Sequence, residues 1–521
     1  MDRAHRYWAK AARRFIEPQV AKFTLKSPEP PFISEPETPF WFRRGVGFTI
    51  KVSIEEPATA RVIVKRHGGE HEVLLPRADL RRLMALDTFR QWPEPTPWLQ
   101  TLEAKDLVYY SRTPSGRATT GAPLLAGREA RLALRDGLGL TLAIADADEI
   151  VPWVFMPRRG ALTKKTLRGV RLSSLEAGTE TYAVDLYGGP AAVTVLRALL
   201  PLLDGRFTAA AIAQHFDSSD RALVGAVLTW LDDCACLTHV SPSKLQVGAP
   251  SVTWLGHAAV LVRVGNVTLL VDPLFVRRSD PPKPFIEAGF DWRLLPKVDA
   301  VLITHADNDH LNPGSLARLW PNTPVIVPAA VEDKPYQVDL HEVLRFLSFD
   351  DVRPLSDWST LQLGDTRVTA VPFQGEDWGL SLAKATYLIE GPGGRVYVSA
   401  DSFNASSLFE RVRSYGPIDF AFLGISGCEE TLVAPPGFGY GEFYALWLPR
   451  GRRNEWIAHT QGPSDAAIAA RALNARHVFG YAAGGGSFME MAHADRGTHA
   501  ELAEILGERA VRLTLGDPYS L

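Results

Sequence analysis

Residues 301–310, Val301-Leu302-Ile303-Thr304-His305-Ala306-Asp307-Asn308-Asp309-His310, decide how this chain is read. Val301-Leu302-Ile303 reads as an apolar strand, and the loop after it places His305, Asp307, Asp309 and His310 within six positions. Leu311-Asn312-Pro313-Gly314 then opens a helix. The loop therefore stands at the carboxyl end of a strand, where α/β sheets bind ligands. A tight loop can direct alternate residues to one ion and their neighbours to a second. Imidazole and carboxylate together suit zinc, iron or manganese. Left without a cation, so many ionisable groups crowded at a sheet end are costly to desolvate. The bland alternative is a solvated acidic turn with two surface histidines, and the crowding argues against it.

Further candidate ligands lie at other strand ends. Glu376 closes Val371-Pro372-Phe373-Gln374-Gly375-Glu376, and Asp401 closes Val396-Tyr397-Val398-Ser399-Ala400-Asp401. A carboxylate at Asp401 can bridge two cations, and close like charges become tolerable once cations neutralise them. For the last ligand His493, after Gly484-Gly485-Gly486, is the first choice, with His459 and His477 as alternatives. Taken singly, each of these histidines is more often structural than ligating. His257 follows Trp254-Leu255-Gly256, and Asp272 closes the stretch Val260 to Val271, which reads as one strand. His257 is placed to donate to substrate, Asp309 to orient a water, and Asp272 to brace a ligand histidine from behind. For His257 and Asp272 a structural hydrogen bond is an equal alternative.

From Ser251 onward strands alternate with helices at Gly314 to Trp320, Ser406 to Tyr415, Pro463 to Leu473 and His499 to Leu506, which implies a layered α/β domain. The segments "TWLGHAAVLVRVGNVTLLVDPLF", "AVLITHADNDH" and "VYVSAD" resemble the metallo-β-lactamase superfamily, which implies an αββα sandwich over residues 251–521. The usual superfamily loop is His-x-His-x-Asp-His, and Asp307 stands where the second histidine is expected. Glu376 likewise stands where the superfamily supplies a histidine. The segments "VPFQGEDWGLSLAKATYLIE", "VYVSADSFNASSLFERVR" and "DFAFLG" are similar to the diiron β-hydroxylase of chloramphenicol biosynthesis. That resemblance implies a carboxylate-rich site holding two irons, with O₂ as co-substrate. It implies His305, Asp307 and Glu376 on one iron, Asp309, His310 and the late histidine on the other, and Asp401 between them. It also implies an amino-acid substrate tethered to a carrier protein, and it does not extend to residues 1–240. Oxygen ligands favour iron over zinc, although zinc and manganese remain compatible with the donor set.

Residues 1–178 read as a β-rich N-terminal domain led by a helix. Phe48 to Ile54 and Ala60 to Val64 are β-branched or alternating runs, and Ser27 to Pro39 carries too much proline for regular structure. Residues 179–241 change character. Tyr182 to Asp185 reads as a strand and Val193 to Leu203 as a helix ended by Asp204-Gly205. Thr208 is placed to cap a second helix to Phe216, and Arg221 to Cys236 forms a third. This winged-helix-like unit, with "LLDGRFTAAAIAQHF" at its centre, resembles the small peptide-binding domain of pyrroloquinoline quinone biosynthesis. The resemblance implies peptide recognition, with a helical spacer or dimerisation module as the alternative.

Composition narrows the partners. A formal charge of −3 offers no basic footprint for nucleic acid. No apolar run reaches the roughly 18 residues that span a bilayer. The basic helix expected over Met1 to Phe23 lacks a signal-peptide core and reads as a solvated surface helix. Cys234 and Cys236 are too close for a zinc ribbon and Cys428 stands alone, a usage that suits a reducing, cytoplasmic compartment. A carrier protein, a peptide or a second copy of the chain are the compatible partners. Two chemistries compete: O₂-dependent hydroxylation by a diiron site in natural-product biosynthesis, and hydrolysis of an ester, lactone, thioester or phosphodiester by a metal-activated water. A non-enzymatic peptide-binding scaffold is a third reading, which the intact ligand set argues against.

Overall fold

The computed structural model describes most of the chain from Phe40 onward. Residues 1–39, 121–130, 153–165, 239–243, 276–289, 331–337, 376–382, 432–455 and 483–497, with shorter loop segments and single positions, lie outside the described residues. The expected N-terminal helix, Glu376, Cys428, His459 and His493 fall among these.

Two sheets build the C-terminal half. The first runs in the order Val352–Leu355, Val325–Pro328, Ala300–Leu302, Leu269–Val271, Val260–Arg263, Ser251–Trp254, Tyr519–Ser520. The second runs Thr360–Leu363, Thr366–Pro372, Ala385–Gly391, Gly394–Val398, Phe420–Gly424, His477–Tyr481. Period-two alternation sorts their side chains into layers. Leu269, Val271, Ala300 and Leu302 face Val368, Ala370, Tyr387, Val396 and Phe422 across the interior. Leu270, Val301 and Ile303 point the other way, toward Leu316, Val343 and Leu344 on the helices Pro313–Leu316 and Leu340–Phe346. On the far side Leu388, Tyr397, Ala421 and Val478 pack on Ser406–Ser414, Pro463–Leu473 and His499–Leu506. The layers are therefore helix, sheet, sheet, helix, the αββα sandwich of the metallo-β-lactamase fold.

One sequence expectation is corrected here. The stretch Val260 to Val271 is not one strand but two antiparallel strands, Val260–Arg263 and Leu269–Val271, with Val260 opposite Val271. Gly265-Asn266 between them supplies the turn chemistry that breaks the run.

The N-terminal region is β-rich, with a seven-stranded sheet and a four-stranded sheet. Thr179–Tyr187 lies inside the seven-stranded sheet, antiparallel to Thr166–Glu176 and parallel to Phe48–Ser53. Pro190–Leu199, Ala209–Gln214 and Arg221–Asp233 form the helices of the unit that follows. Thr208 caps the second, its Oγ1 accepting from the Ala211 N–H at 3.2 Å. Asp204 opens a short strand rather than merely ending a helix. That strand and Leu237–Thr238 flank Arg131–Leu134, which comes from far earlier in the chain.

The helical unit is bolted to the metallo-β-lactamase half by Arg197. This buried guanidinium donates to the carbonyls of Leu316, Ala317, Leu319 and Leu347, the ends of two helices, at 2.8–3.2 Å. It also lies 5.0 Å from the Phe349 ring centre. Cations suit helix carboxyl ends because the exposed carbonyls carry partial negative charge. Burial pulls the Arg197 pKa down to about 9, which leaves it charged at neutral pH. Among the described residues, no helix is long and apolar enough to cross a membrane.

Candidate metal centre

The site forms where several strands of both sheets end on one rim. Leu269–Val271 delivers Asp272, Ala300–Leu302 delivers Thr304 and His305, and Gly394–Val398 delivers Asp401. The turn after Ser251–Trp254 delivers His257. The Thr304 carbonyl accepts from the Ala385 N–H at 2.9 Å, which ties the metal loop to the second sheet. Four non-glycine residues around this rim, His257, Asp272, Ala400 and Ala482, have positive φ between 43° and 53°. Such left-handed backbone costs energy and persists where the surroundings over-determine it.

Asp272 organises the floor of the site. It is wholly buried, and its Oδ1 accepts from the Thr304 N–H at 2.8 Å. Its Oδ2 accepts from Thr304 Oγ1 at 2.6 Å and from His310 Nδ1 at 2.7 Å. The Thr304 hydroxyl proton is thereby spent on Asp272, so Oγ1 accepts from His305 Nδ1 at 2.9 Å. Each imidazole thus carries its proton on Nδ1 and turns a lone pair on Nε2 toward the rim. Both Nε2 atoms are buried without a hydrogen-bond partner. An unsatisfied buried acceptor is costly, and a cation is the partner these two atoms lack.

Carboxylates surround the two lone pairs. Asp401 Oδ2 stands 3.4 Å from His310 Nε2 and 3.7 Å from His305 Nε2, between the two rings. Asp307 Oδ2 lies 3.3 Å from His305 Nε2. Asp309 Oδ2 lies 3.9 Å from His310 Nε2 and 3.0 Å from His257 Nε2. Among the described residues, two groups have the spacing of a metal site: His305, His310 and Asp401, and His257, Asp309 and His310. Burial opposes charge on His310, yet Asp401, Asp309 and Asp272 overrule it and hold its pKa well above the usual imidazole range. Burial likewise opposes charge on Asp401 and Asp309, and the neighbouring imidazoles hold both below the usual carboxylate range. With no cation bound, that attraction puts a proton on His310 Nε2; a metal ion at the same nitrogen would satisfy the carboxylates in its place.

His305, Asp307, Asp309, His310, Asp401 and His257 therefore converge, and Asp272 stands behind them. His477 does not join them. It pairs with Phe420 at the start of its strand, at the opposite end from Tyr481 and the rim. Four residues of strand separate these ends, about 13 Å. Glu376, His459 and His493 lie outside the described residues. The residues just before Glu376 are held to the Asp401 loop: Ser402 Oγ accepts from the Gln374 N–H at 2.9 Å, and the Phe403 N–H donates to the Gln374 carbonyl at 2.6 Å. Phe373 walls one side, its ring centre 5.7 Å from that of His305.

Three supporting residues escaped sequence reasoning. Thr304 couples both histidines to Asp272, and only its place just before His305 hints at this. Tyr481 accepts the Ala400 N–H at 2.9 Å on its hydroxyl, fixing the strained residue beside Asp401. Ser315 Oγ donates to Asn312 Oδ1 and accepts from the Phe275 N–H, both at 2.8 Å, which joins the helix after the metal loop to the segment after Asp272.

Comparison with known proteins agrees with this architecture. Residues 268–480 match the model of the beta-lactamase superfamily domain. An uncharacterized protein of Mycobacterium tuberculosis is 27% identical over 187 residues, covering 34% of this chain and 48% of that protein. A UPF0173 metal-dependent hydrolase of Cupriavidus taiwanensis is 39% identical over 109 residues, covering 20% of this chain and 35% of the relative. The chain spans about half the length, or less, of these curated relatives. Among solved structures, CmlA, a diiron beta-hydroxylase from Streptomyces venezuelae, superposes with a TM-score of 0.50 at 21% identity. The match covers 73% of this chain and 76% of CmlA, and at that identity it speaks for the fold. Residues 251–521 are only about half of the chain, so the shared fold reaches into the preceding region. This corrects the expectation that the likeness stops short of residues 1–240, because fold outlasts recognisable sequence similarity.

Proposed function

We propose that this chain is a dinuclear metal enzyme, and that it hydroxylates an amino acid held on a carrier protein or peptide using two irons and O₂. The observation that carries the reading is the donor set. Asp307, in a loop position where an imidazole is usual, places a carboxylate oxygen 3.3 Å from His305 Nε2, and Asp401 places another at 3.7 Å. A harder, oxygen-rich set favours iron over zinc. Iron bound there supplies O₂ activation, whereas zinc supplies only polarisation of a substrate or water.

The residues of the chain prepare the site. Asp272 and Thr304 keep the Nδ1 protons of His310 and His305 away from the rim, so both Nε2 atoms are ready to ligate. Asp401 is placed to bridge two cations. Phe373 shields the His305 side from water. The fold shared with a diiron β-hydroxylase supports the oxygenase, and the unit at 179–241 supports a tethered substrate through its peptide-binding resemblance.

Hydrolysis is the second reading, favoured by the identity shared with a metal-dependent hydrolase. In it Asp309 orients the attacking water. Protein reconstituted separately with iron and zinc separates the two. With an external two-electron reductant supplied, the oxygenase reading expects iron-dependent O₂ uptake and a gain of one oxygen atom on an aminoacyl carrier or peptide, the second oxygen leaving as water. Zinc-supported hydrolysis of chromogenic esters without O₂, and no oxygen insertion with iron, would overturn it.

A further inference from the structure

We infer that His257 is a metal ligand, binding the second ion through Nε2 together with Asp309, His310 and Asp401. This rests on the dinuclear reading above and reassigns His257 from the substrate side of the site to the metal itself.

Three atoms carry the inference. His257 Nε2, Asp309 Oδ2 and the His310 ring nitrogen all lie within 4.8 Å of one another. His257 Nε2 and Asp309 Oδ2 are 3.0 Å apart. Two donors each about 2.1 Å from one ion stand roughly 3.0–3.4 Å apart at the angles of octahedral or tetrahedral coordination. The observed separation is that of adjacent ligands. The independent observation is His310 Nε2, fully buried, without a hydrogen-bond partner and 3.9 Å from the same Asp309 oxygen. The His257 and His310 ring centres are 5.6 Å apart with their planes 66° from parallel, so the rings approach a common point from different directions.

The backbone commits His257 to this place. Gly256 has φ +105° and His257 φ +43°, a turn that swings the side chain off the strand and over the rim. Trp254 Nε1 donates to the His257 carbonyl at 2.9 Å and locks the turn. The side chain is only 6% exposed, little of which an incoming substrate could reach. With His257 on the second ion, the described donors form two sets that share Asp401. His305, Asp307 and Asp401 face one ion; His257, Asp309, His310 and Asp401 face the other.

The alternative is that His257 only donates a hydrogen bond to Asp309. Metal stoichiometry and the spectrum of the cobalt-loaded protein separate the two roles without using activity. The variant His257→Gly suits a positive φ and leaves room for free imidazole. His257→Asn, also tolerant of left-handed backbone, serves as a second variant should the glycine form fold poorly. Wild-type protein is expected to take up two equivalents of Co(II). The variants are expected to keep one, with the visible bands of the second equivalent lost and restored by imidazole in His257→Gly. Two equivalents with wild-type bands in either folded variant would overturn the ligand assignment, even with affinity weakened. Wild-type protein that binds no metal would instead sink the dinuclear reading itself, a separate failure.

Discussion

Asp272 and His310 are joined by a 2.7 Å hydrogen bond between two side chains that are both wholly buried. The same Asp272 oxygen takes the Thr304 hydroxyl, so one carboxylate sets the tautomer of two histidines. The candidate centre depends on this brace as much as on the atoms that face the metal.

Asp272→Asn breaks the arrangement because an amide cannot accept at both of its terminal atoms. Either the Thr304 N–H loses its acceptor, or the Thr304 hydroxyl and the His310 Nδ1–H, which share Oδ2, lose theirs together. Metal affinity is expected to fall about 10- to 100-fold, the usual effect of losing such a partner. Competition with a chromophoric chelator reads it, and unchanged affinity would contradict the brace.

Gly424→Ala tests the placement of Asp401. A methyl group at Gly424 would overlap the carbonyl oxygen of Ala400, the residue before Asp401. Ala400 is already held at φ +47° with its N–H on Tyr481. The loop must move, so weaker metal binding is expected, with a stability loss of about 1–3 kcal/mol typical of overpacking. Chelator competition and urea unfolding measure the two effects.

Arg197→Met addresses the bolt between the helical unit and the metallo-β-lactamase half. It takes the shared guanidinium from the carbonyls of Ala317, Leu319 and Leu347, while the Leu316 carbonyl keeps the Leu319 N–H. Leaving a buried hydrogen-bonding group unsatisfied costs about 1–3 kcal/mol. Arg197→Lys should recover only part, since an ammonium is a point charge without the planar fork. Urea unfolding of both variants checks the order; a stable Arg197→Met protein would remove the bolt.

His499 makes stability depend on pH away from the centre. Its Nδ1 accepts from the Gly480 N–H at 3.2 Å and its ring lies against Phe479. Burial, with a smaller push from Arg512, lowers its pKa below the ordinary 6.5. Below pH 6.5 the unfolded chain therefore binds protons more readily than the folded one, and stability rises with pH. The contribution is complete above pH 6.5 and is lost as pH falls below it. Denaturant midpoints across this window should decline toward acid, and His499→Gln should flatten the decline.

Local pattern made much of the fold legible. The helix Pro463–Leu473 could be bounded from its ends, because Gly462-Pro463 starts a helix and Asn474 ends it in left-handed backbone at φ +52°. Leu269, Leu270 and Val271 are all apolar, so the sequence marks a strand there but not which side chain takes which face. The candidate ligands from His305 to His310 were visible because they sit together in sequence. Asp401 was visible as an acid at the end of an apolar strand. Asp272 could be suspected as a brace, but not which histidine it holds. His257 stands some fifty positions from Asp309, and no spacing rule reaches that far. Arg131–Leu134 and the strands it joins are separated in the same way, so a compact unit read as contiguous takes a strand from elsewhere.

What the amino-acid sequence settled alone is local: strand and helix periods, caps, turns, and a loop too rich in imidazole and carboxylate to stand without a cation. Those depend on neighbours a few residues apart, and the chain carries them wherever it goes. The tertiary structure decided which lone pairs face one another, that Asp401 lies between two imidazoles, and that His257 meets Asp309. Each is a distance between residues brought together by sheet order and packing, and none exists until the two sheets close on each other.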